Sequence, residues 1–303
     1  MRARLRDDFT SARFRQMTLS EIKRILAEGG IQPAKSLGQH FLHDANQVRR
    51  ILEAAELDSK DRVLEIGPGL GALTEGLAAR AGRVLAIEKD DRLFAWLEDH
   101  FAGAKNLSLR HGDALEVLQH EPIDWTGWKL VSNLPYSVTS SILLQLSASS
   151  NCPRRMVIAL QLEVVQRLLA APGDFDYGVL TLLIQLRYRV NRVFRITARC
   201  FFPEPKVDSA VLVLERREEA LLSERLAVVF ARIVRRSFSQ RRKIMLKLLK
   251  EDWPGEQLIG AFDRLGLPYQ VRAEAVSLDQ FVSLTRMLPI LRIQPSPDNP
   301  ATK

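Results

Sequence analysis

A side-chain amide, a stiffened turn and an aromatic ring stand together in Asn133-Leu134-Pro135-Tyr136. This combination suits attack by the exocyclic amine of a nucleobase, whose nitrogen is a poor nucleophile because its lone pair is delocalised. If the Asn133 side-chain oxygen and the Leu134 carbonyl accept the two amine hydrogens, the lone pair localises toward an electrophile. Pro135 biases Leu134 toward an extended backbone, and Tyr136 can stack on an extruded base. A buried turn with a core tyrosine is the alternative interpretation.

A glycine-rich turn occupies residues 65–71, at a predicted junction between a strand and a helix. Gly67 and Gly69 let the backbone turn tightly and approach a ligand closely. With Ala72 they also fit a loose dinucleotide pattern, so the turn alone does not separate NAD from other nucleotide-like ligands. Glu88 ends the next predicted strand, where a carboxylate can accept both hydroxyls of a ribose. We therefore predict adenosine recognition rather than a plain tight turn.

Asp113 follows the third predicted strand, where its carboxylate can accept a hydrogen bond from an adenine amine. An ordinary helix cap explains this residue alone equally well. Gly67, Glu88, Asp113 and Asn133 nevertheless follow four successive predicted strands. Open α/β sheets bind ligands beyond the carboxyl ends of their strands, so we expect these four residues to line one site.

The elements that position these residues alternate between short apolar runs and helical stretches, which predicts an α/β fold with a parallel sheet and helices on both faces. The predicted strands are 63–66, 84–87, 107–109, 130–131 and 156–160. Helices are predicted at 70–79 and 92–100, and the apolar runs 180–186 and 211–214 are predicted to close the sheet edge. After Glu215 only helices are predicted, at 226–237, 241–250, 256–265 and after Ser277.

This pattern divides the chain into four segments. Residues 1–19 are predicted to be a flexible basic arm, and a capping box of Thr18 and Glu21 begins a helix at its end. Residues 20–215 form the predicted α/β domain, and residues 216–292 form a small all-helical domain. Residues 293–303 are rich in proline and are predicted to be a disordered tail.

The composition narrows the class of protein. The 303 residues are 46% hydrophobic, carry a net charge of +8, and contain no apolar run long enough for a membrane span. Cys152 and Cys200 form neither a CxxC pair nor a disulfide framework, so we expect a reducing, cytoplasmic location and no membrane contact. His40 and His43 lack a third ligand in reach, so we expect no metal.

Positive charge is concentrated in two segments that contain no Asp or Glu. Residues 225–250 hold nine Lys and Arg, and residues 187–199 hold five arginines. A solvated helix face normally mixes charges of both signs, so we favour contact with RNA phosphates. The predicted RNA-binding residues are Arg235, Arg236, Arg241, Arg242, Lys243 and Lys247.

Together these motifs resemble the ribosomal RNA adenine dimethyltransferases, specifically the type that acts on the small subunit. The likeness is carried by residues 35–42, 65–69, 133–136, 177–178, 202–211 and 238–243. It implies a Rossmann-like, S-adenosylmethionine-dependent methyltransferase fold with S-adenosylmethionine as the methyl donor. It also implies the substrate: two adjacent adenosines in the 3′-terminal hairpin loop of small-subunit (16S-type) rRNA, each dimethylated at N6.

The resemblance further implies roles for individual residues. The donor-binding residues would be His40, Leu42, Gly67, Gly69, Glu88, Asp113 and Asn133. The catalytic residues would be Asn133, Leu134, Pro135, Tyr136 and Phe201, with Phe201 flanking the flipped base opposite the tyrosine. Three positions depart from the family pattern: His40 stands where Asn is more familiar, Leu162 replaces a usual lysine, and Lys247 replaces a frequent Asn.

We expect a monomer that methylates small-subunit rRNA within a pre-30S-type particle during ribosome biogenesis. One alternative is a large-subunit rRNA adenine methyltransferase of the antibiotic-resistance type. Another is a non-catalytic RNA-binding factor on the same fold, acting in ribosome assembly or transcription. The 202–211 segment and the basic helical domain favour the small-subunit type, and the presence of Glu88, Asp113 and Asn133 favours an enzyme.

Overall fold

The computed structural model describes residues 17–34, 37–121 and 123–289. These residues form two compact units, one comprising 17–169 and 187–218 and the other 170–186 and 219–289. Of the predicted basic arm, residues 1–16 lie outside the described residues, as does the whole predicted tail 293–303.

The first unit contains the strands and the helices that connect them. Its strands are β1 (Phe41–Leu42), β2 (Arg62–Ile66), β3 (Arg83–Glu88), β4 (Leu107–His111), β5 (Trp128–Asn133), β6 (Arg155–Gln161), β7 (Tyr188–Ile196), β8 (Phe201–Phe202) and β9 (Ser209–Arg216). Its helices are α1 (Leu19–Glu28), α2 (Ala45–Ala54), α3 (Thr74–Ala78), α4 (Asp91–His100), α5 (Ala114–His120), α6 (Thr139–Leu146) and α7 (Leu162–Leu169).

Seven strands form one sheet in the order β4-β3-β2-β5-β6-β9-β7. The first five are parallel, and β9 pairs antiparallel with both β6 and β7. Strands β2 and β6 are buried along almost their whole length, as expected for parallel strands covered on both faces. The predicted mixed α/β fold is confirmed.

The edge of the sheet differs from the prediction. Residues 180–186, predicted as a strand, lie almost entirely within a helix, α8 (Val179–Gln185), and the edge strand is β7 instead. A short apolar run does not by its period alone distinguish a buried helix from a strand, which explains the error. In β7, arginines alternate with buried residues such as Tyr188 and Ile196. Charged side chains on an edge strand discourage pairing with other chains.

Helix α1 covers part of the first unit and begins at the predicted capping box of Thr18 and Glu21. Its two buried residues, Ile22 and Leu26, pack in one cluster with the side chains of Phe41, Leu70 and Leu93. The clustered residues come from β1, the glycine-rich turn and α4, so the helix rests directly beside the turn.

The second unit contains helices and loops but no strand among its described residues. Its helices are α8, α9 (Glu224–Phe238), α10 (Met245–Leu249), α11 (Gly255–Leu265) and α12 (Leu278–Met287). Phe230, Phe262 and Phe281 are completely buried in its core. Gly266 ends α11 with a left-handed φ of 63°, and Ser277 caps α12, both as predicted. Residues 170–186 belong to this unit, whereas the sequence analysis placed them in the α/β domain.

None of the helices in the described parts of the chain combines the length and the apolar character that crossing a membrane requires.

Candidate active site

The predicted site residues line one cavity of about 250 Å³ at the carboxyl ends of the parallel strands. Strands β2, β3, β4 and β5 are parallel neighbours in the sheet, so the residues that follow them emerge at the same edge. The predicted residues on the cavity wall are His40, Leu42, Gly67, Gly69, Glu88, Asp113, Asn133, Leu134, Pro135 and Tyr136. Among the predicted catalytic and donor-binding residues, only Phe201 is absent from this wall.

The glycine-rich turn packs closely against its surroundings. Gly67 and Gly69 adopt left-handed φ angles of 69° and 61°, which favour glycine. A β-carbon at position 67 would lie 2.9 Å from the Pro135 side chain, and one at position 69 would lie 3.0 Å from the Phe41 ring. A larger residue in either place would therefore push against the wall of the cavity.

Glu88 accepts three backbone hydrogen bonds. Its Oε1 accepts from the amides of Lys89 and Asp90 at 2.9 Å each, and its Oε2 accepts from the Gly69 amide at 3.0 Å. Burial raises the pKa of this carboxyl, and the three backbone donors oppose the rise. Because each carboxylate oxygen accepts about two hydrogen bonds, Oε2 retains a position for one hydroxyl of a ligand.

A second acid, Glu65, lies on the same wall and is completely buried. Its Oε2 accepts a hydrogen bond from the Thr74 hydroxyl at 2.7 Å. Burial, with a smaller contribution from the nearby charge of Glu88, raises the pKa of Glu65 to about 8, although the hydrogen bond from Thr74 opposes the rise. At neutral pH this side chain is therefore mostly protonated.

Asp113 both caps a helix and lies on the cavity wall. Its Oδ1 accepts from the Leu115 amide at 2.8 Å and caps α5, and its Oδ2 lies 2.7 Å from the Lys89 ammonium. The hydrogen bond from Lys89 lowers the pKa of this carboxyl, with the Leu115 amide adding to the effect. The helix-cap interpretation is confirmed, and the carboxylate still faces the cavity.

Asn133 lies on the cavity wall, and its amide oxygen is buried without a partner. Its Nδ2 donates to the His40 carbonyl at 3.0 Å. Its Oδ1 is buried and accepts no hydrogen bond from any described residue. An unsatisfied buried acceptor costs about 1 to 3 kcal/mol, a cost that a hydrogen-bond donor reaching this oxygen would offset.

Tyr136 and His40 form the neighbouring part of the wall. The Tyr136 hydroxyl lies 2.7 Å from the hydroxyl oxygen of Ser209, and the Tyr136 and His40 ring centroids are 5.2 Å apart. The Nδ1 of His40 lies 2.6 Å from the Pro203 carbonyl oxygen. Since a carbonyl only accepts, this Nδ1 carries a proton and donates. The Pro135 carbonyl accepts from the Thr139 hydroxyl at 2.9 Å.

Comparison with known proteins agrees with this geometry. The sequence profile of the family described as ribosomal RNA adenine dimethylase matches residues 31–289. The chain belongs to the ribosomal RNA adenine dimethylase family. The resemblance inferred from the motifs is confirmed.

Two curated relatives of this family carry the name ribosomal RNA small subunit methyltransferase A. The one from Moorella thermoacetica is 41% identical over 274 residues, which cover 87% of this chain and 95% of the relative. The one from Geobacillus thermodenitrificans is 38% identical over 287 residues, which cover 91% of this chain and 98% of the relative.

Two solved structures share the fold. A dimethyladenosine transferase from Plasmodium falciparum matches with a TM-score of 0.69 and 25% identity, covering 81% of this chain and 96% of the other. The 23S rRNA methyltransferase ErmE matches with a TM-score of 0.65 and 30% identity, covering 82% of this chain and 99% of the other. The predicted Rossmann-like methyltransferase fold is confirmed.

Phe201 is buried and does not line this cavity. Its side chain is 2% exposed, pairs with Leu42 across the β1–β8 ladder and packs in the core. Because successive strand residues point to opposite faces, the next residue, Phe202, points the other way and lies beneath the Lys23 ammonium. Phe201 is therefore not part of the cavity wall described above, and its role beside a target base stays a prediction.

The predicted RNA-binding residues of this family member divide into two groups. Arg236 pairs with Asp252 and Glu251, and Arg241 donates to the Phe175 carbonyl, so both stabilise the second unit itself. Residues 225–250 contain no acid, but Glu251 and Asp252 follow immediately in the sequence. The predicted residues that are exposed and have no ion pair within the described residues are Arg235, Arg242, Lys243 and Lys247.

Glu65, Ser209 and Ile22 are among the residues at the site that were not predicted as site residues. Glu65 and Ser209 lie inside quoted motifs, but a motif does not say which of its members face a cavity. Ile22 of α1 reaches the cavity wall from the amino-terminal helix. Its amphipathic spacing predicted only that one face of this helix would be buried. The described residues contain no group of three or more His, Cys, Asp or Glu that could hold a metal ion.

We expect Glu65→Gln to change how the free energy of unfolding depends on pH. The pKa of Glu65 is raised from 4.5 to about 8 in the folded protein, so the folded state keeps a proton that the unfolded state releases. This contribution to stability is complete below the unfolded pKa and is lost as pH rises through the folded pKa. Urea unfolding between about pH 5 and pH 8 should show a steeper loss of stability in the wild type than in Glu65→Gln.

The control is Glu98→Gln, at an exposed position on α4. It should keep the wild-type pH dependence. If Glu65→Gln also kept it, Glu65 would not be protonated in the folded state.

Proposed function

We propose that the chain transfers methyl groups from S-adenosylmethionine to N6 of two adjacent adenosines in the 3′-terminal hairpin loop of small-subunit rRNA. The product is N6,N6-dimethyladenosine at both positions. The observation that carries this proposal is the buried, unpartnered Oδ1 of Asn133, which is a residue of the cavity wall. An exocyclic amine supplies the N–H donor that this oxygen lacks.

The cavity residues fit an adenosine-containing methyl donor. Gly67 and Gly69 allow close approach of a ligand to the turn, and Oε2 of Glu88 retains an acceptor position for a ribose hydroxyl. The Asp113 oxygens each accept one hydrogen bond, which leaves an acceptor position for an adenine amine. When bound, S-adenosylmethionine supplies an electrophilic methyl group attached to a positively charged sulfur.

The chain contributes orientation and hydrogen bonding. Asn133 Oδ1 and the Leu134 carbonyl accept the hydrogens of the target amine, which localises its lone pair toward the methyl group. Tyr136 stacks on the adenine, and its hydroxyl contact with Ser209 fixes the plane of the ring. The proton that the amine loses passes to water, so this mechanism needs no tuned general base.

Small-subunit RNA is favoured over large-subunit RNA by the relatives. Two full-length relatives named for the small subunit are 41% and 38% identical to the chain. The solved 23S rRNA methyltransferase is 30% identical. Because that methyltransferase has a similar fold, the sheet and the cavity alone do not determine which ribosomal RNA is the substrate.

The proposed function also implies where the protein acts and with what it assembles. We infer a cytoplasmic monomer that acts on a pre-30S-type particle. Cys152 and Cys200 are both free thiols, as is usual in a reducing compartment. Sedimentation of the purified chain alone would test the monomeric state. Sedimentation with unmethylated small subunits would test binding to the particle.

Transfer of labelled methyl groups tests the main proposal. The purified chain and labelled S-adenosylmethionine are incubated separately with unmethylated small and large subunits, and mass spectrometry of RNA digests locates the label. We expect N6,N6-dimethyladenosine in the small-subunit 3′-terminal hairpin loop. Label on large-subunit RNA, or no label with intact protein, would overturn the proposal.

We expect Asn133→Ala to lower turnover by about a hundredfold while leaving RNA binding unchanged. The substitution removes one acceptor that acts where charge develops during transfer, and losing one such group typically costs this much. Single-turnover methylation and filter binding measure the two quantities. Asn151→Ala, at an exposed loop position, is the matched control and should behave as the wild type. Equal loss of turnover and binding in Asn133→Ala would mean that the residue is structural.

We also propose that Arg235, Arg242, Lys243 and Lys247 contact RNA phosphates, because all four are exposed. Arg242→Gln combined with Lys243→Gln should lower the slope of log affinity against log salt by roughly 1 to 2. Titration of small subunits at several salt concentrations measures this slope. Lys105→Gln, at an exposed position of the first unit, should leave it unchanged. An unaltered slope in the double variant would place the phosphate contacts elsewhere.

A further inference from the structure

One aromatic side chain of the second unit, that of Phe175, is unusually exposed to solvent. Phe175 is 85% exposed, and the next most exposed large hydrophobic residue in the described part of the chain is Val228 at 52%. Burying a phenylalanine side chain contributes about 1.5 to 3 kcal/mol, so the chain forgoes this stabilisation at position 175. The ring is therefore available for contact with a partner outside the chain.

The loop that carries Phe175 is held in place by its own hydrogen bonds. The Ala171 amide donates to the Asp174 carboxylate at 2.8 Å, and the Gly173 amide donates to the Glu274 carbonyl at 2.8 Å. The loop ends at Tyr177, which is buried and whose hydroxyl donates to the Val276 carbonyl at 2.9 Å. The ring is therefore displayed by an ordered loop, and binding to it costs little conformational entropy.

Arg241 supports the ring from one side. The centre of its guanidinium lies 5.2 Å from the Phe175 ring centroid, and the same guanidinium donates to the Phe175 backbone carbonyl. This geometry combines a cation–π contact with a hydrogen bond that fixes the loop. The guanidinium is itself half exposed and presents a planar surface beside the ring.

The charges around the ring identify the chemistry of its partner. Asp174 and Asp176 flank Phe175, so a phosphate placed on the ring would be repelled. A nucleobase has a neutral π face and stacks on aromatic rings whatever its sequence identity. The exposed cations Arg242 and Lys243 directly follow Arg241 in the chain and can hold the adjacent phosphates.

A protein partner fits this surface less well. Aromatic anchors at protein interfaces usually stand at the centre of an apolar, fully desolvated patch. Phe175 is instead flanked by two carboxylates and covered on one side by a guanidinium.

We propose that Phe175 and Arg241 form a stacking platform for an unpaired nucleobase of the RNA substrate, outside the methylation cavity. The inference rests on the proposed function, since it requires an RNA partner. Single-stranded loops and bulges are the RNA elements whose bases are free to stack in this way. The platform adds affinity for the substrate without taking part in methyl transfer.

Three substitutions at position 175 test the platform. Phe175→Ala removes the ring, Phe175→Leu keeps apolar volume without the π face, and Phe175→Trp keeps a stacking surface. We expect the Ala and Leu variants to bind unmethylated small subunits roughly tenfold more weakly, and the Trp variant to bind as the wild type, because base–aromatic stacking contributes about 1 to 3 kcal/mol. Val228→Ala is the control for an exposed apolar side chain and should bind normally.

Ultraviolet crosslinking identifies the partner directly. In complexes with unmethylated small subunits, the tryptic peptide 168–187 of the wild type should carry a crosslinked nucleotide, and that of Phe175→Ala should not. Normal binding by Phe175→Leu with loss in Phe175→Ala would indicate an apolar protein contact and overturn the proposal. Normal binding by Phe175→Ala would overturn it as well.

Methylation by the wild type in the same preparations separates the two proposals. If the wild type methylates small subunits and Phe175→Ala binds them normally, only the platform is wrong. If the wild type transfers no methyl group to them, the proposed function is wrong.

Discussion

The hydrogen bond from Asn133 Nδ2 to the His40 carbonyl determines what the cavity can bind. It fixes the amide so that the oxygen is the atom left without a partner, whereas an inverted amide would leave a donor there. His40 is itself held by its Nδ1 contact with Pro203 and by the pairing of β1 with β8. The short β1–β8 ladder, which is remote in sequence from Asn133, therefore sets the orientation of the Asn133 amide oxygen in the proposed transfer.

The parallel sheet places two acidic side chains near one cavity, and burying them costs free energy. Glu65 and Glu88 are both buried near one cavity, and burial raises the pKa of each. The structure offsets this cost with hydrogen bonds from Thr74 and from the backbone that follows Glu88. A ligand that carries positive charge would favour the ionised forms, whereas a neutral one would not.

The sequence was sufficient to predict the wall of this cavity because parallel strands end at one edge of a sheet. Every predicted residue that follows β2, β3, β4 or β5 lies on that wall. The differences between prediction and structure had local causes. The run 180–186 has no period that distinguishes helix from strand, and it is part of α8. Phe201 and Phe202 point to opposite sides of β8, and a motif match does not reveal which side faces the cavity. The direction of the Asn133 amide depends on a backbone carbonyl that no sequence pattern identifies.

The charge composition likewise does not predict which cations can contact RNA. The five arginines of 187–199 suggested an RNA surface, yet Arg187 is buried and donates to the Ser147 carbonyl, and Arg195 pairs with Asp208. In 225–250, Arg232 and Arg236 are paired with Asp252. Paired cations present less net charge to a phosphate and would lose existing hydrogen bonds on binding one. Affinity for RNA therefore depends on the cations that the fold leaves exposed and unpaired, and a net charge of +8 does not reveal which these are.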